Sequence, residues 1–388
     1  MRTLKFMLSA CVAAVALTSC EKEEFIPQVQ DTRMKSIEVS LENAVMNVTR
    51  GAAGAKIKNG DAVVVNNIKI FLTDDAGNEY GAKVSNGSAD AKNWWSSADL
   101  SAGAMDAEFH YVDHGCTKVV AIANIDKDMT YAEFLQMGNL KIDNEQEADN
   151  LSLYAESQLV QSSQHQDINV NGTTYVADVY KADLTLRPRI SRFEVDGFRV
   201  KFNATPKYNE IKITDLLFQH YDSESSLRTG VEAGSHVKHI SDLDNQEETY
   251  NWFNNTNKAK EWYWDAFTGS DVVTITPSAP ADDTPTPLAY HMFSGSTIPT
   301  LVIKLIVDNQ PAYLYSRGFY SSTEKENGLP KAITTFEEGK IYRMSAQGEV
   351  ASDGSIPIDE DDIDPMDRCL DISVDVVDWV VELVFPEF

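Results

Sequence analysis

CLDISVDVVDWVVELVFPEF, residues Cys369 to Phe388, is the stretch from which the rest of the sequence is best read. Ile372, Val374 and Val376 share one face by the two-residue alternation of a strand, and after a slip of phase Val377, Trp379, Val381, Leu383 and Phe385 take over. An apolar strand of this length aggregates when left unpaired, so it must join a sheet, its own or a neighbour's. A matching pattern near the other end favours a neighbour: Ile37, Val39 and Leu41 alternate, followed after a slip by Ala44, Met46 and Val48. Two residues on stands Arg50, in the small-residue loop Thr49-Arg50-Gly51-Ala52-Ala53-Gly54. Proteolytic nicking concentrates in exposed segments of that composition. A trypsin-like or gingipain-like protease cutting there would detach the first strand.

The 388 residues carry 33 Lys and Arg against 60 Asp and Glu, a net charge of −27. Residues 1–50 hold six of each sign, so the excess belongs to the remainder. Such a chain repels phosphate backbones, which argues against nucleic acid as a partner. With 43% hydrophobic and 10% aromatic residues it can build a core, and its length suits two domains. Of the four cysteines, Cys11 and Cys20 fall in the leader, leaving Cys116 and Cys369. One pair does not make a disulfide scaffold, and two separate thiols are favoured over a bridge.

Met1 to Cys20 has the parts of a bacterial secretory signal: Arg2 and Lys5, then an apolar run from Phe6 to Leu17 too short to span a membrane. Leu17-Thr18-Ser19-Cys20 looks like a lipoprotein box, favoured over an ordinary signal peptide with an incidental cysteine; in that reading Cys20 is the acylated residue and its lipid the attachment to the outer membrane. Glu21-Lys22-Glu23-Glu24 follows, either a solvated linker or the charged tag that directs Bacteroidetes-type lipoproteins to the cell surface.

Beyond Gly54 the sequence is dominated by strand signals. Val63 to Leu72 (VVVNNIKIFL) runs into the turn cluster Thr73 to Asn78, and Cys116 to Ile125 is a continuous apolar run that suits a strand buried on both faces. Tyr131 to Met137, entered through Lys127 to Thr130, is the best short helix. Asp183 to Phe198 alternates again and is broken by Pro188, the mark of an edge or a connection between domains. Further strands are expected at Glu210 to Phe218, Val272 to Thr276, Thr300 to Val307, Ala312 to Ser316 and Thr335 to Met344. Asp222 to Phe267 reads as a polar and aromatic insert, Ser278 to Pro287 as a loop, and Asp353 to Asp367 as an acidic linker. Short strands, many turns and few helices predict an all-β chain of two β-sandwiches in series. Helical spacers for a parallel α/β fold are missing.

The order of these pieces resembles the fimbrillin family, the pilus subunits of Bacteroidales. The likeness rests on the box ending at Cys20, the strand before Thr49-Arg50-Gly51, and the stretches NIKIFLTDDAGNEY, KVVAIANI, LRPRISRFEV, FEEGKIYRM and VDVVDW…VFPEF. It implies two transthyretin-like β-sandwich domains, at 51–190 and 191–352, behind a signal peptide at 1–20 and a propeptide at 21–50. Residues 353–388 would then be an acidic linker with a C-terminal donor strand. The resemblance further implies that an arginine-specific protease cuts after Arg50, leaves Gly51 as the first residue, and removes a strand carrying Ile37, Val39, Leu41, Met46 and Val48. Ile372, Val374, Val376, Trp379, Val381, Leu383 and Phe385 would fill the vacated groove of another copy or a related subunit, head to tail. Seven such side chains at roughly 1.5–3 kcal/mol each make that step close to irreversible, and a head-to-tail contact that does not close gives a filament.

Other chemistries find little support. His110 and His114 are four apart, but Tyr111 stands where a zincin needs glutamate and the local pattern is a strand, not a helix. His236 and His239 read the same way, as ordinary histidines. Asp359 to Asp367 lacks the glycine and closing glutamate of a calcium loop and reads as a solvated hinge. No catalytic motif and no cofactor are therefore expected. The aromatic groups Trp94-Trp95, Trp252-Phe253 and Trp262-Tyr263-Trp264 with Phe267 read first as core and loop anchors. Were they exposed, the alternative is a monomeric surface lipoprotein that binds glycans or host proteins.

Overall fold

Alternating sequence becomes sheet through most of the chain. A computed structural model describes residues 34–42, 44–46, 63–84, 89–102, 105, 107–146, 150–231, 263–345, 354–363, 369–378 and 381–383. Among them the fold is mostly β, with curled sheets and two five-residue α-helices, Ser97–Ser101 (α1) and Tyr131–Leu135 (α2). Both helices begin with a reciprocal capping box; in α2 Thr130 accepts from the Glu133 backbone and Glu133 returns the bond to the Thr130 N–H.

The first half builds β1 (Lys35–Glu42), β2 (Ala44–Met46), β3 (Val63–Val65), β4 (Ile68–Thr73), β5 (Glu108–Val112), β6 (Lys118–Ala123), β7 (Leu153–Gln158), β8 (Val160–Val170) and β9 (Thr173–Thr185). One sheet runs in the order β8–β9–β1–β5 and a second as Arg187–Pro188, β7, β6, β4, Glu79–Tyr80. Pro188 thus lies on an edge, where its missing N–H costs no ladder bond. The run Val63 to Leu72 splits into β3 and β4 at Asn66 and Asn67, which bond to Asn124 and Ile125. The Asn66 N–H donates to Asn124 Oδ1 at 2.7 Å, and the Ile125 N–H to Asn67 Oδ1 at 3.0 Å. Asn171 and Gly172, at φ 50° and 82°, make the two-residue hairpin turn that joins β8 to β9.

The second half builds β10 (Ile190–Lys201), β11 (Ile211–Gln219), β12 (Ala281–Phe293), β13 (Thr300–Val307), β14 (Gln310–Glu326), β15 (Lys340–Ser345), β16 (Ser355–Asp359), β17 (Cys369–Asp378) and β18 (Val381–Leu383). Its large sheet is ordered Tyr263–Ala266, β11, β13, β14, β17, β15, β10, β12, with β16 also on β10. Ser278 to Pro287, expected as loop, lies partly in β12. The strand tolerates Pro285 and Pro287 because it is an edge, and the register jumps from Val195↔Leu288 to Gly197↔Asp283, leaving both prolines in a bulge. The expected acidic linker holds β16 and a 3-10 turn, Glu360–Ile363. Glu360 is fully buried and accepts from the backbone N–H groups of Asn203 and Lys207 at 2.6 and 2.9 Å, so this part of the acidic run staples a loop instead of forming a solvated hinge.

The halves share one apolar cluster that includes Ile37 and Val374. Where they meet, Leu140–Lys141 pairs with Glu224–Ser225, and the His291 Nδ1–H donates to the Glu145 carbonyl at 2.8 Å. Burial drives the His291 imidazole down to about 3, so it is neutral there. Arg189 adds a staple: it pairs with Glu338 at 2.7 Å, donates to the Leu227 and Arg228 carbonyls, and stacks over Tyr154.

Candidate functional site: the seat of the first strand

Of the residues singled out by sequence, the best-defined constellation is the one around β1. The strand lies inside its sheet, parallel to β9 from Lys35↔Asp178 to Glu42↔Thr185 and antiparallel to β5. Its register against β5 shifts between Lys35 and Ile37, opposite Tyr111, which takes a left-handed φ of 53° as a bulge residue does. The ladder continues past β5 where the Val39 N–H donates to the Ala107 carbonyl at 3.0 Å.

The two faces of β1 do different work. Ile37 is 0% exposed, and Val39 and Leu41 are half-buried against the same core, so the inward face loosens toward the C-terminal end. At its start the same face carries Lys35, whose ammonium donates to the Cys116 carbonyl and lies 4.4 Å from the Tyr180 ring centroid. Burial holds the Lys35 pKa below its ordinary value, against the opposing pull of Cys116, Asp113 and Asp178. The outward face is polar: Ser36 Oγ meets His110 Nδ1 at 3.0 Å, Glu38 pairs with Lys181 at 3.0 Å, and Ser40 donates to Asp183. Both neighbours are themselves tied together, for Tyr175 stacks on Tyr111 at 4.0 Å and its hydroxyl accepts from the Tyr111 N–H.

Nothing in the sequence pattern marks the flanking residues His110, Tyr175, Asp178, Lys181 and Asp183 as a seat. The available signal was the alternation in TTYVADVYKADLT behind the Asn171-Gly172 turn. His110 faces Ser36 while His114 pairs with Asp113 at 3.3 Å beyond the strand end. Among the described residues no group of three His, Cys, Asp or Glu is placed to hold a metal ion. Cys116 is a buried free thiol, pushed up to about 11 by its burial.

The terminal segment pairs within its own chain here. β17 lies between β14, to which it is parallel, and β15, to which it is antiparallel, and Ile372 and Val374 are fully buried. Val376 belongs to the same strand. Val381 and Leu383 belong to β18, which runs between β2 and β3 in a small parallel sheet that also includes Met46. Cys20, Val48, Arg50, Gly51, Trp379 and Phe385 lie outside the described residues, as do His236, His239, Trp252, Phe253 and Trp262. Of the aromatic groups, Trp95 is buried edge-on against Phe109 and Phe267 packs on Phe198, so both are core residues.

No protein-family model matches the chain, and no curated protein matches it. Among solved structures it is similar to a candidate cell adhesion protein from Parabacteroides distasonis, at 15% identity over 90% of this chain and 98% of that one, with a TM-score of 0.49. It is also similar to a fimbrilin from Porphyromonas gingivalis, at 12% identity over 91% and 99% of the two chains, with a TM-score of 0.44. Similarities of this size assign no role to individual residues. Among the described residues no helix is long and apolar enough to cross a membrane.

Proposed function

We propose that the chain is a structural subunit of a surface pilus, built by strand exchange after a protease removes its first strand. One observation carries the reading: β1 is an interior strand, and both its partners, β5 and β9, follow Arg50 in the sequence. A cut after Arg50, leaving Gly51 at the new end, makes β1 a peptide held by non-covalent contacts alone. Its departure leaves two β-edges facing each other across about 9–10 Å, twice the strand spacing and room for one strand. An incoming strand gains main-chain bonds from both edges, and its alternate side chains fill the places of Ile37, Val39 and Leu41.

The donor in this reading is the terminal segment of another copy or a related subunit, through Ile372, Val374, Val376, Trp379, Val381, Leu383 and Phe385. Donation requires that segment to leave the pairing it has in the single chain. Cys20 would carry the lipid that holds the precursor at the outer membrane, and the halves at 51–190 and 191–352 would be the two transthyretin-like sandwiches. The test is to treat purified precursor with an Arg-specific protease and run it unheated in SDS. Ladders are expected from the wild type and none from Arg50→Ala. A wild-type product that is cut after Arg50 yet stays monomeric overturns the reading.

A further inference from the structure

We infer that β2 clamps β18, the far end of the C-terminal segment, so that one cut between Met46 and Val63 frees that end of the donor as well as opening the groove. This deepens the strand-exchange reading and rests on it. β18 is the middle strand of the order β2–β18–β3. Ala44, Val45 and Met46 pair with Val381, Glu382 and Leu383, and those three pair in turn with Val63, Val64 and Val65. The two partners of β18 therefore come from opposite sides of the processing loop.

The partners differ in what holds them. β3 belongs to the body: Val63 and Val65 are buried in the core, and Asn124 Nδ2 donates to the Val64 carbonyl at 2.7 Å. β2 follows β1 after the single residue Asn43, so a cut downstream of Met46 places both on the same released peptide. Once that peptide goes, β18 keeps one partner, through three residues, in a parallel pair. Parallel pairing is the weaker kind, and a short two-stranded pair does not persist alone. β18 is then free to start entering a neighbour's groove, while β17 still has to leave β14 and β15. Before the cut, groove and donor are both occupied, which guards against premature edge-to-edge association.

The experiment uses the full precursor with Arg50→Ala, which stays uncut, and the same chain with Val45→Pro and Met46→Pro. Adjacent prolines remove both N–H groups, whichever of them faces β18. Amide exchange read by mass spectrometry should show residues 381–383 protected in the first chain and exchanging about tenfold faster or more in the second. Protection across β1, β5, β9 and β17 should stay unchanged, which shows that the body is folded. If the proline chain loses that protection, replacing Ala44-Val45-Met46 by Gly-Ser-Gly gives the same reading without prolines. Residues 381–383 that exchange at the unstructured rate in the uncut chain, or whose protection neither variant changes, overturn the clamp. Ladder formation by the cut wild type is scored separately. Ladders with 381–383 unprotected sink the clamp alone, whereas a released β18 with no ladder sinks the strand-exchange reading alone.

Discussion

At the scale of single residues, β1 is held chiefly by what its inward face buries. Ile37 is fully enclosed, whereas Val39 and Leu41 are only half-buried, so the hold is concentrated near the strand's start. Lys35 adds little net energy despite its partners, because burying its ammonium offsets the bond to the Cys116 carbonyl. The outer pairs, Glu38 with Lys181 and Ser40 with Asp183, reach the exposed surface and contribute little. Ile37→Ala should therefore lower the stability of the uncut precursor by about 2–5 kcal/mol, the range for emptying a buried isoleucine site, as read from its urea midpoint. If departure of β1 limits assembly, the same substitution should speed ladder growth after cleavage by about tenfold or more, since each 1.4 kcal/mol is a factor of ten. An unchanged rate would mean that the plug leaves before the slow step.

At the scale of elements, sequence pattern identified strands well and their partners poorly. The pattern predicts Thr300 to Val307 to the residue and the start of α2 at Tyr131, two residues long at its end, because alternation and helix-entry signals are local. Pattern does not show the hairpin of β8 and β9 even though Asn171-Gly172 marks it, since β8 is mostly exposed Gln, Ser and His and its apolar alternation, Ile168 and Val170, comes only at the end. From sequence the prolines of β12 predict a loop, because their edge position and bulge are tertiary facts. For the terminal segment, the two-residue period shows that one face is buried but not which sheet does the burying, and β17 proves to be an interior strand of its own half. That placement separates two truncations. A chain ending at Asp378 loses β18 only and should keep its melting temperature while losing ladders. A chain ending at Arg368 opens the sheet between β14 and β15, uncovers Ile372's and Val374's neighbours, and should lose several kcal/mol. Equal melting temperatures for both truncations would show that β17 does not support its sheet.

At the scale of the whole molecule, charge opposes what the strands favour. Residues 1–50 are balanced, so a copy carries −27 before processing and after it. Head-to-tail growth must bring such bodies together end after end, and their repulsion acts over about one Debye length, roughly 30 Å at 0.01 M salt and 8 Å at 0.15 M. Repulsion of this range lowers the frequency of encounter, whereas an inserted strand is held by buried apolar contact and ladder hydrogen bonds that salt barely screens. The two stages should accordingly part company. Raising salt from about 0.01 to 0.15 M should speed assembly of Arg-cleaved protein several-fold, measured as the initial rise in light scattering at fixed concentration. Ladders formed at either salt should resist SDS equally. If assembly slows as salt rises, complementary patches must be steering the two ends together in spite of the net charge, and the repulsion argument falls.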